Sequence, residues 1–199
     1  MSEKSFIANI EEFILKCTKP KLMDSQSEVD DFLAKKSQMQ DKPPKGIFKS
    51  FDFNGMQVFS YGDANARNLI LFIHGGAYVN EINLQHHLYC LKMSRKLDAY
   101  VLAPVYPLAP NHKAEETFNL ITDLYENLMQ NHSNITLMGD SAGGGFILAF
   151  AQYIKTLNLA QPTRIITFSP WVDVSMANPP YDSVNDPILG EIGLKEIGK

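Results

Sequence analysis

Cysteine is scarce in this 199-residue chain: Cys17 and Cys90 are the only two. They show no C-x-x-C spacing and have no companion ligands at metal-binding intervals, so neither a disulfide framework nor a zinc site is signalled. Reduced, buried or half-buried thiols are expected, with no metal and no cofactor. A basic surplus is also missing: 18 Lys and Arg stand against 22 Asp and Glu, a formal charge of −4. The basic residues are scattered rather than striped, which removes the electrostatic footprint of a nucleic-acid binder. No run of about 18 apolar residues occurs, so no transmembrane helix is expected. The amino-terminal MSEKSFIANIEEFILKC is interrupted by Glu11 and Glu12, and no small-residue cleavage site follows. It does not read as a signal peptide, and a cytoplasmic location is the expectation.

What is present is the composition of one soluble globular domain, 45% hydrophobic and 20% charged. Phe6, Ile7, Ile10, Phe13, Ile14 and Cys17 fall on one stripe of an amphipathic helix. Residues 20 to 45 are polar and broken by Pro20, Pro43 and Pro44, with a short helical patch around Val29, Phe32 and Leu33. Residues 1–45 therefore read as a helical arm and 46–199 as the main domain. GIFKSFDF and MQVFSY alternate and are joined by Asn54 and Gly55, which predicts an antiparallel hairpin.

From residue 68 strands and helices alternate: NLILFIH, a helix over about 83–97, AYVLAPVY, a helix over about 114–130, NITLMGD, a helix over about 144–157, and TRIITFS. Near-continuously apolar strands separated by helices predict an α/β fold, a three-layer sandwich around a mostly parallel sheet entered through the hairpin. In such a sheet, ligands gather at the carboxyl ends of the strands. His74 to Gly76, Tyr106 to His112 and Gly139 to Gly143 all fall there.

Gly139, Asp140, Ser141, Ala142 and Gly143 form a G-x-S-x-G pattern. Alone it carries little weight; between a strand and a helix it is where a nucleophile elbow belongs. Small residues two positions either side of a serine let the backbone turn sharply and hold Oγ outward. The competing reading is a glycine-rich helix start that only caps or packs. HGGAY at 74–78 supplies a complement, because acyl transfer builds negative charge on a carbonyl oxygen and backbone N–H groups are preorganised donors for it. Gly76, Ala77 and, at the start of the next helix, Ala142 are the candidate donors, with Gly75 shaping the turn. His74 reads as a prop for this loop rather than as a titrating catalyst.

HGGAY, YPLAPNH, GDSAGGG, SPWVDVS and DPIL, in that order over residues 68 to 190, resemble the motifs of the hormone-sensitive-lipase-like branch of the α/β-hydrolases. The resemblance implies a serine esterase or lipase acting on small acyl esters. It implies Ser141 as nucleophile, an oxyanion hole from Gly75, Gly76, Ala77 and Ala142, support from His74, Gly139, Asp140 and Gly143, and a cap from the N-terminal arm. Three positions depart from the family pattern. Ala77 replaces a usual glycine, which costs nothing if the backbone N–H is what is used. Pro107 and Asn111 stand where Arg and Glu are common, so that loop's usual ion pair is not expected. Tyr106 and His112 read as loop-fixing residues.

In this fold the acid and histidine of the triad follow the serine. His74, His86, His87, His112 and His132 all precede Ser141, and Asp173, Asp182, Asp186, Glu191 and Glu196 are poor matches to the family's acid. The acid and the base are therefore expected beyond Lys199, with the domain 46–199 an incomplete hydrolase. An apolar edge strand at TRIITFS, which proteins normally avoid leaving unpaired, points the same way. Loss of the base costs on the order of 10⁶ in kcat, so the chain alone is expected to be nearly inactive. The alternative is a non-catalytic site in which the elbow holds a small ligand's carbonyl or carboxylate. The oligomeric state is left open.

Overall fold

The computed structural model describes residues 23–38, 48–177 and 189–199. The expected helical stripe from Phe6 to Cys17, and Asp182 and Asp186, lie outside the described residues. Contacts gather the chain into two compact units, Met1–Met39 with Asp173–Lys199, and Gln40–Val172. These cut the chain near residue 40 and at residue 173, where the sequence reading placed one boundary, at residue 45.

In the larger unit, Asn54 and Gly55 both take positive φ, 52° and 84°. That is the geometry whose twist suits a tight hairpin. It joins β1 (Ser50–Phe53) to β2 (Met56–Tyr61). The alternating series then follows as β3 (Asn68–Ile73), α2 (Leu84–Leu97), β4 (Ala99–Pro104), α3 (Ala114–Met129), β5 (Ile135–Asp140), α4 (Ser141–Thr156) and β6 (Arg164–Phe168). The sheet order is β1-β2-β4-β3-β5-β6, antiparallel for the first three strands and parallel from β4 to β6. This is the α/β-hydrolase architecture expected from the sequence.

Period-two alternation assigns each strand's side chains to two cores. Leu69, Leu71 and Ile73 of β3 join Ile121, Leu124 and Tyr125 of α3 and Phe146, Ile147 and Phe150 of α4. Ile70 and Phe72 turn the other way, with Val101, Met138 and Cys90 of α2. Helices thus cover both faces, which is why β3 and β5 are apolar almost throughout. Because β3 connects to β4 on one side and lies against β5 on the other, its carboxyl end is a topological switch point. The loops after β3 and β5 therefore open side by side.

One boundary differs from the sequence reading: α4 starts at Ser141, not near residue 144. The glycines look like a loop by propensity, but a single left-handed residue, Ser141 at φ +49°, completes the turn and the helix begins at once. At the other end of the sheet, β6 pairs with β5 on one side, and among the described residues nothing pairs its other side. Ile165 and Phe168 are exposed there.

The smaller unit holds α1 (Gln26–Gln38) and α5 (Glu191–Ile197). The Gly193 N–H donates to the Met23 carbonyl at 3.1 Å, and an added Cβ on Gly193 would sit 2.4 Å from the Met23 side chain. Val29 of α1 is fully buried. α5 lies within the tail GEIGLKEIGK.

Candidate active site

The site is built where β5 passes into α4. Asp140 is extended (φ −116°, ψ 149°), Ser141 is left-handed, and α4 runs from there. A non-glycine residue in that region costs about 1–2 kcal/mol, so the surroundings must hold it. The flanking glycines explain how. A Cβ on Gly139 would meet the Gly143 carbonyl at 2.7 Å, and one on Gly143 would meet the Ile73 carbonyl oxygen at 2.1 Å. The elbow backbone and the end of β3 are in direct contact, with no room for a methyl group. Two further bonds fix the turn: the Trp171 N–H donates to the Ser141 carbonyl at 2.8 Å, and the Tyr78 hydroxyl donates to the Ala142 carbonyl at 2.7 Å.

The loop after β3 is brought against this elbow. Asp140 Oδ1 accepts the Gly75 N–H at 2.9 Å. Gly76, Ala77 and Tyr78 then take φ of +130°, +52° and +60° in succession. The Val79 and Asn80 N–H groups close the turn on the Gly76 carbonyl. Among the described residues the N–H groups of Gly76 and Ala77 donate no hydrogen bond. The Ala142 N–H lies in the first turn of α4, where intrahelical partners do not exist. The three expected donors are therefore unspent, two on the loop after β3 and one in the first turn of α4, whereas the N–H of Gly75, also expected at the oxyanion hole, is taken by Asp140.

Behind the loop is a buried polar layer. His74 is fully buried; its Nδ1–H donates to the Gly75 carbonyl at 2.7 Å and its ring stacks on Tyr106 at 4.4 Å. Burial lowers its pKa to about 4, so the imidazole is neutral at ordinary pH. Tyr106 is buried too, and its hydroxyl donates to the His74 carbonyl at 2.7 Å. The loop after β4 is tied by the Ala109 N–H to the Tyr78 carbonyl and the Thr117 hydroxyl to the Pro107 carbonyl. His112 pairs with Glu116 at 2.7 Å.

His86, which sequence reasoning did not single out, completes the layer. Its Nδ1 accepts the Asn83 N–H at 3.2 Å, leaving the proton on Nε2, which lies 3.5 Å from Asp140 Oδ2. Burial works to raise the Asp140 pKa, but the His86 and Gly75 hydrogen bonds outweigh it and hold the carboxyl below its usual value. Asp140 is thus an anion joining α2, the loop after β3 and the elbow. The position of His86, three residues after Asn83 at the start of α2, is visible in sequence as a capping signal, but nothing there says that its other ring nitrogen reaches Asp140.

Among the described residues, no histidine hydrogen-bonds the Ser141 hydroxyl. His74, His86 and His112 are engaged as described, His87 Nδ1 bonds the Tyr61 hydroxyl at 2.5 Å, and His132 lies in the turn entering β5, at the opposite end of the strand. No group of His, Cys, Asp and Glu suited to a metal occurs among the described residues. Nor is any described helix long and apolar enough to cross a membrane. A concavity of about 570 Å³ is lined by the hairpin, the loops after β3 and β4 and the start of α3, including Gln57, Glu81 and Leu108, and Ser141 is not part of its wall.

Comparison with known proteins bears on the family and the fold. The alpha/beta hydrolase fold family matches residues 70–196. A triacylglycerol lipase of Mycobacterium tuberculosis is 30% identical over 149 residues, 70% of this chain and 34% of that protein. An esterase of Acinetobacter venetianus is 30% identical over 118 residues, 58% of this chain and 39% of that protein. The chain therefore spans well under half the length of these curated relatives. A Staphylococcus aureus protein with a proposed esterase assignment superposes with a TM-score of 0.78 at 25% identity, covering 89% of this chain and 65% of its own. An esterase from the bacterial hormone-sensitive lipase family shares the fold at a TM-score of 0.70 and 22% identity, over 99% of this chain and 69% of its own. From residue 70 onward, then, the chain belongs to the alpha/beta hydrolase fold family, among relatives named as esterases and lipases.

Proposed function

We propose that this chain carries the nucleophile and oxyanion half of a serine carboxylesterase site. Ser141 Oγ attacks the carbonyl carbon of a small acyl ester. The N–H groups of Gly76, Ala77 and Ala142 receive the negative charge that develops on the carbonyl oxygen, each donor being worth about 2.7–4 kcal/mol. His74, Gly75, Gly139, Asp140 and Gly143 hold the two loops together. The observation that carries this reading is the Gly75 N–H bond to Asp140 beside a left-handed Ser141, which sets unspent donors next to the serine. No metal or cofactor enters this chemistry.

The step needs a base to take the Ser141 proton and return it to the leaving alcohol. With none of the five histidines hydrogen-bonded to the hydroxyl, we propose that the base and its acid lie beyond Lys199. Residues 1–45 would cap the acyl pocket and 46–199 would form the hydrolase portion, working in the cytoplasm. The test is hydrolysis of p-nitrophenyl butyrate by this chain and by Ser141→Ala. Both should be slow and alike, since removing one member of such a unit costs about as much as removing all. A large Ser141-dependent turnover would mean that a histidine of this chain serves as base. The same engaged histidines favour a second reading, a non-catalytic pocket for a small carboxylate. Saturable acetate binding abolished by Gly76→Pro, with no acylation of Ser141 under any condition, would support it.

A further inference from the structure

Tyr78 belongs to both halves of the site described above. Its main chain follows Ala77 in the loop after β3, as the last of three residues with positive φ. Its hydroxyl reaches across to the elbow and donates to the Ala142 carbonyl at 2.7 Å. Its ring stacks at 5.8 Å on Trp171, whose own N–H donates to the Ser141 carbonyl.

Peptide planarity turns these contacts into an orientation. The Ser141 carbonyl and the Ala142 N–H share one trans peptide plane and point in opposite directions. Fixing the carbonyl through Trp171 fixes the N–H. The Tyr78 hydroxyl fixes the next plane in the same way. An added Cβ on Gly145 would fall 2.0 Å from the Trp171 carbonyl and 3.5 Å from the Tyr78 hydroxyl, so this glycine makes the space in which Trp171 and Tyr78 meet α4. Burial raises the phenol pKa to about 12, which keeps the hydroxyl a donor at any working pH.

We propose that Tyr78 is a positioning residue that couples the two halves of the oxyanion site: its backbone sets the Gly76 and Ala77 donors, its ring supports Trp171, which holds the plane of the Ala142 N–H, and its hydroxyl holds the adjoining plane, so that Ala142 is fixed from both sides. The proposal rests on the esterase reading for its consequence in acyl transfer, but the coupling itself is a property of the backbone and is measurable without turnover.

Tyr78→Phe keeps the ring and removes the hydroxyl. Tyr125→Phe is the matched control: that buried hydroxyl donates at 3.0 Å to the Ala160 carbonyl, away from the elbow. Backbone ¹⁵N order parameters are measured in both variants and in the unaltered chain, where rigid amides give about 0.85 and flexible ones fall below about 0.6. Tyr78→Phe should lower the values at Ala77 and Ala142 together, and Tyr125→Phe should leave both unchanged. Unchanged values in Tyr78→Phe, loss at one of the two amides alone, or equal loss in the control would each overturn the coupling.

In parallel, phosphonylation of Ser141 by a fluorophosphonate is timed in the presence of imidazole. The rate should fall about 10- to 100-fold in Tyr78→Phe, as for a small misplacement of reacting groups, and hold in the control. An unchanged rate overturns the positioning role. If the unaltered chain is not labelled at Ser141 at all, the esterase reading fails, and the order parameters still decide the coupling.

Discussion

Gly143→Ala asks whether the pattern around Ser141 exists for steric reasons. A Cβ at Gly143 would stand 2.1 Å from the Ile73 carbonyl oxygen, 2.6 Å from its carbon and 2.7 Å from the His74 carbonyl oxygen. All three atoms are main chain at the end of a central strand, so none can swing away. Overpacking of this kind costs about 1–3 kcal/mol or more, while replacing a helical glycine by alanine gains about 1 kcal/mol. The neighbouring Gly144→Ala supplies the same helical gain, but its Cβ would meet Pro170 at 3.1 Å, a contact that a small shift relieves. The difference between the two variants isolates the clash and should be about 2 kcal/mol. With a urea slope of about 2 kcal/mol per molar, the Gly143→Ala midpoint should lie about 1 M below that of Gly144→Ala. Equal midpoints would refute the claim that close approach of β3 and α4 dictates a glycine here.

Two other perturbations address the polar layer. His74 is protonated near pH 4 in the folded chain and near 6.5 when unfolded, so the unfolded state binds more protons between those values. Stability should therefore fall as pH drops from about 6.5 to 4, by about 3 kcal/mol, and His74→Gln should show a smaller slope in thermal melts across that window. A melt independent of pH there would contradict a buried neutral imidazole. Asp140→Asn keeps an acceptor for the Gly75 N–H but sets an amide donor against the His86 Nε2–H. It should destabilise by about 1–3 kcal/mol. Adding His86→Ala should recover part of that loss, and strict additivity in the double-mutant cycle would show that the two side chains do not interact.

The sheet was legible because its causes are local. Alternation in β1 and β2, the Asn54–Gly55 turn and the apolar runs of β3, β4 and β5 each carry their own period, and the elements fall where those periods change. The start of α4 was misplaced because glycine propensity speaks for a loop, whereas a single left-handed residue at Ser141 is enough to turn a strand into a helix. The two loops that meet at Ser141 could be named because their glycines stand at fixed offsets from His74 and Ser141. What joins them could not. His86 reaches Asp140 from α2, and Tyr78 reaches Ala142 across 64 positions of sequence. Neither contact leaves a spacing or a period, since each depends on which helix the topology lays beside the switch point. The same holds for Trp171, whose backbone N–H, not its ring, does the fixing of Ser141.

Ser141 is proposed to stand ready for nucleophilic attack beside unspent oxyanion donors, with no base within reach among the described residues. Intact-mass and peptide analysis after exposure to a fluorophosphonate, with and without imidazole as a base from solution, tests it most directly. A single phosphonyl group is expected on Ser141, added slowly alone and faster with imidazole, and none in Ser141→Ala. No label on Ser141 with imidazole present, or rapid labelling that imidazole does not change, would contradict it.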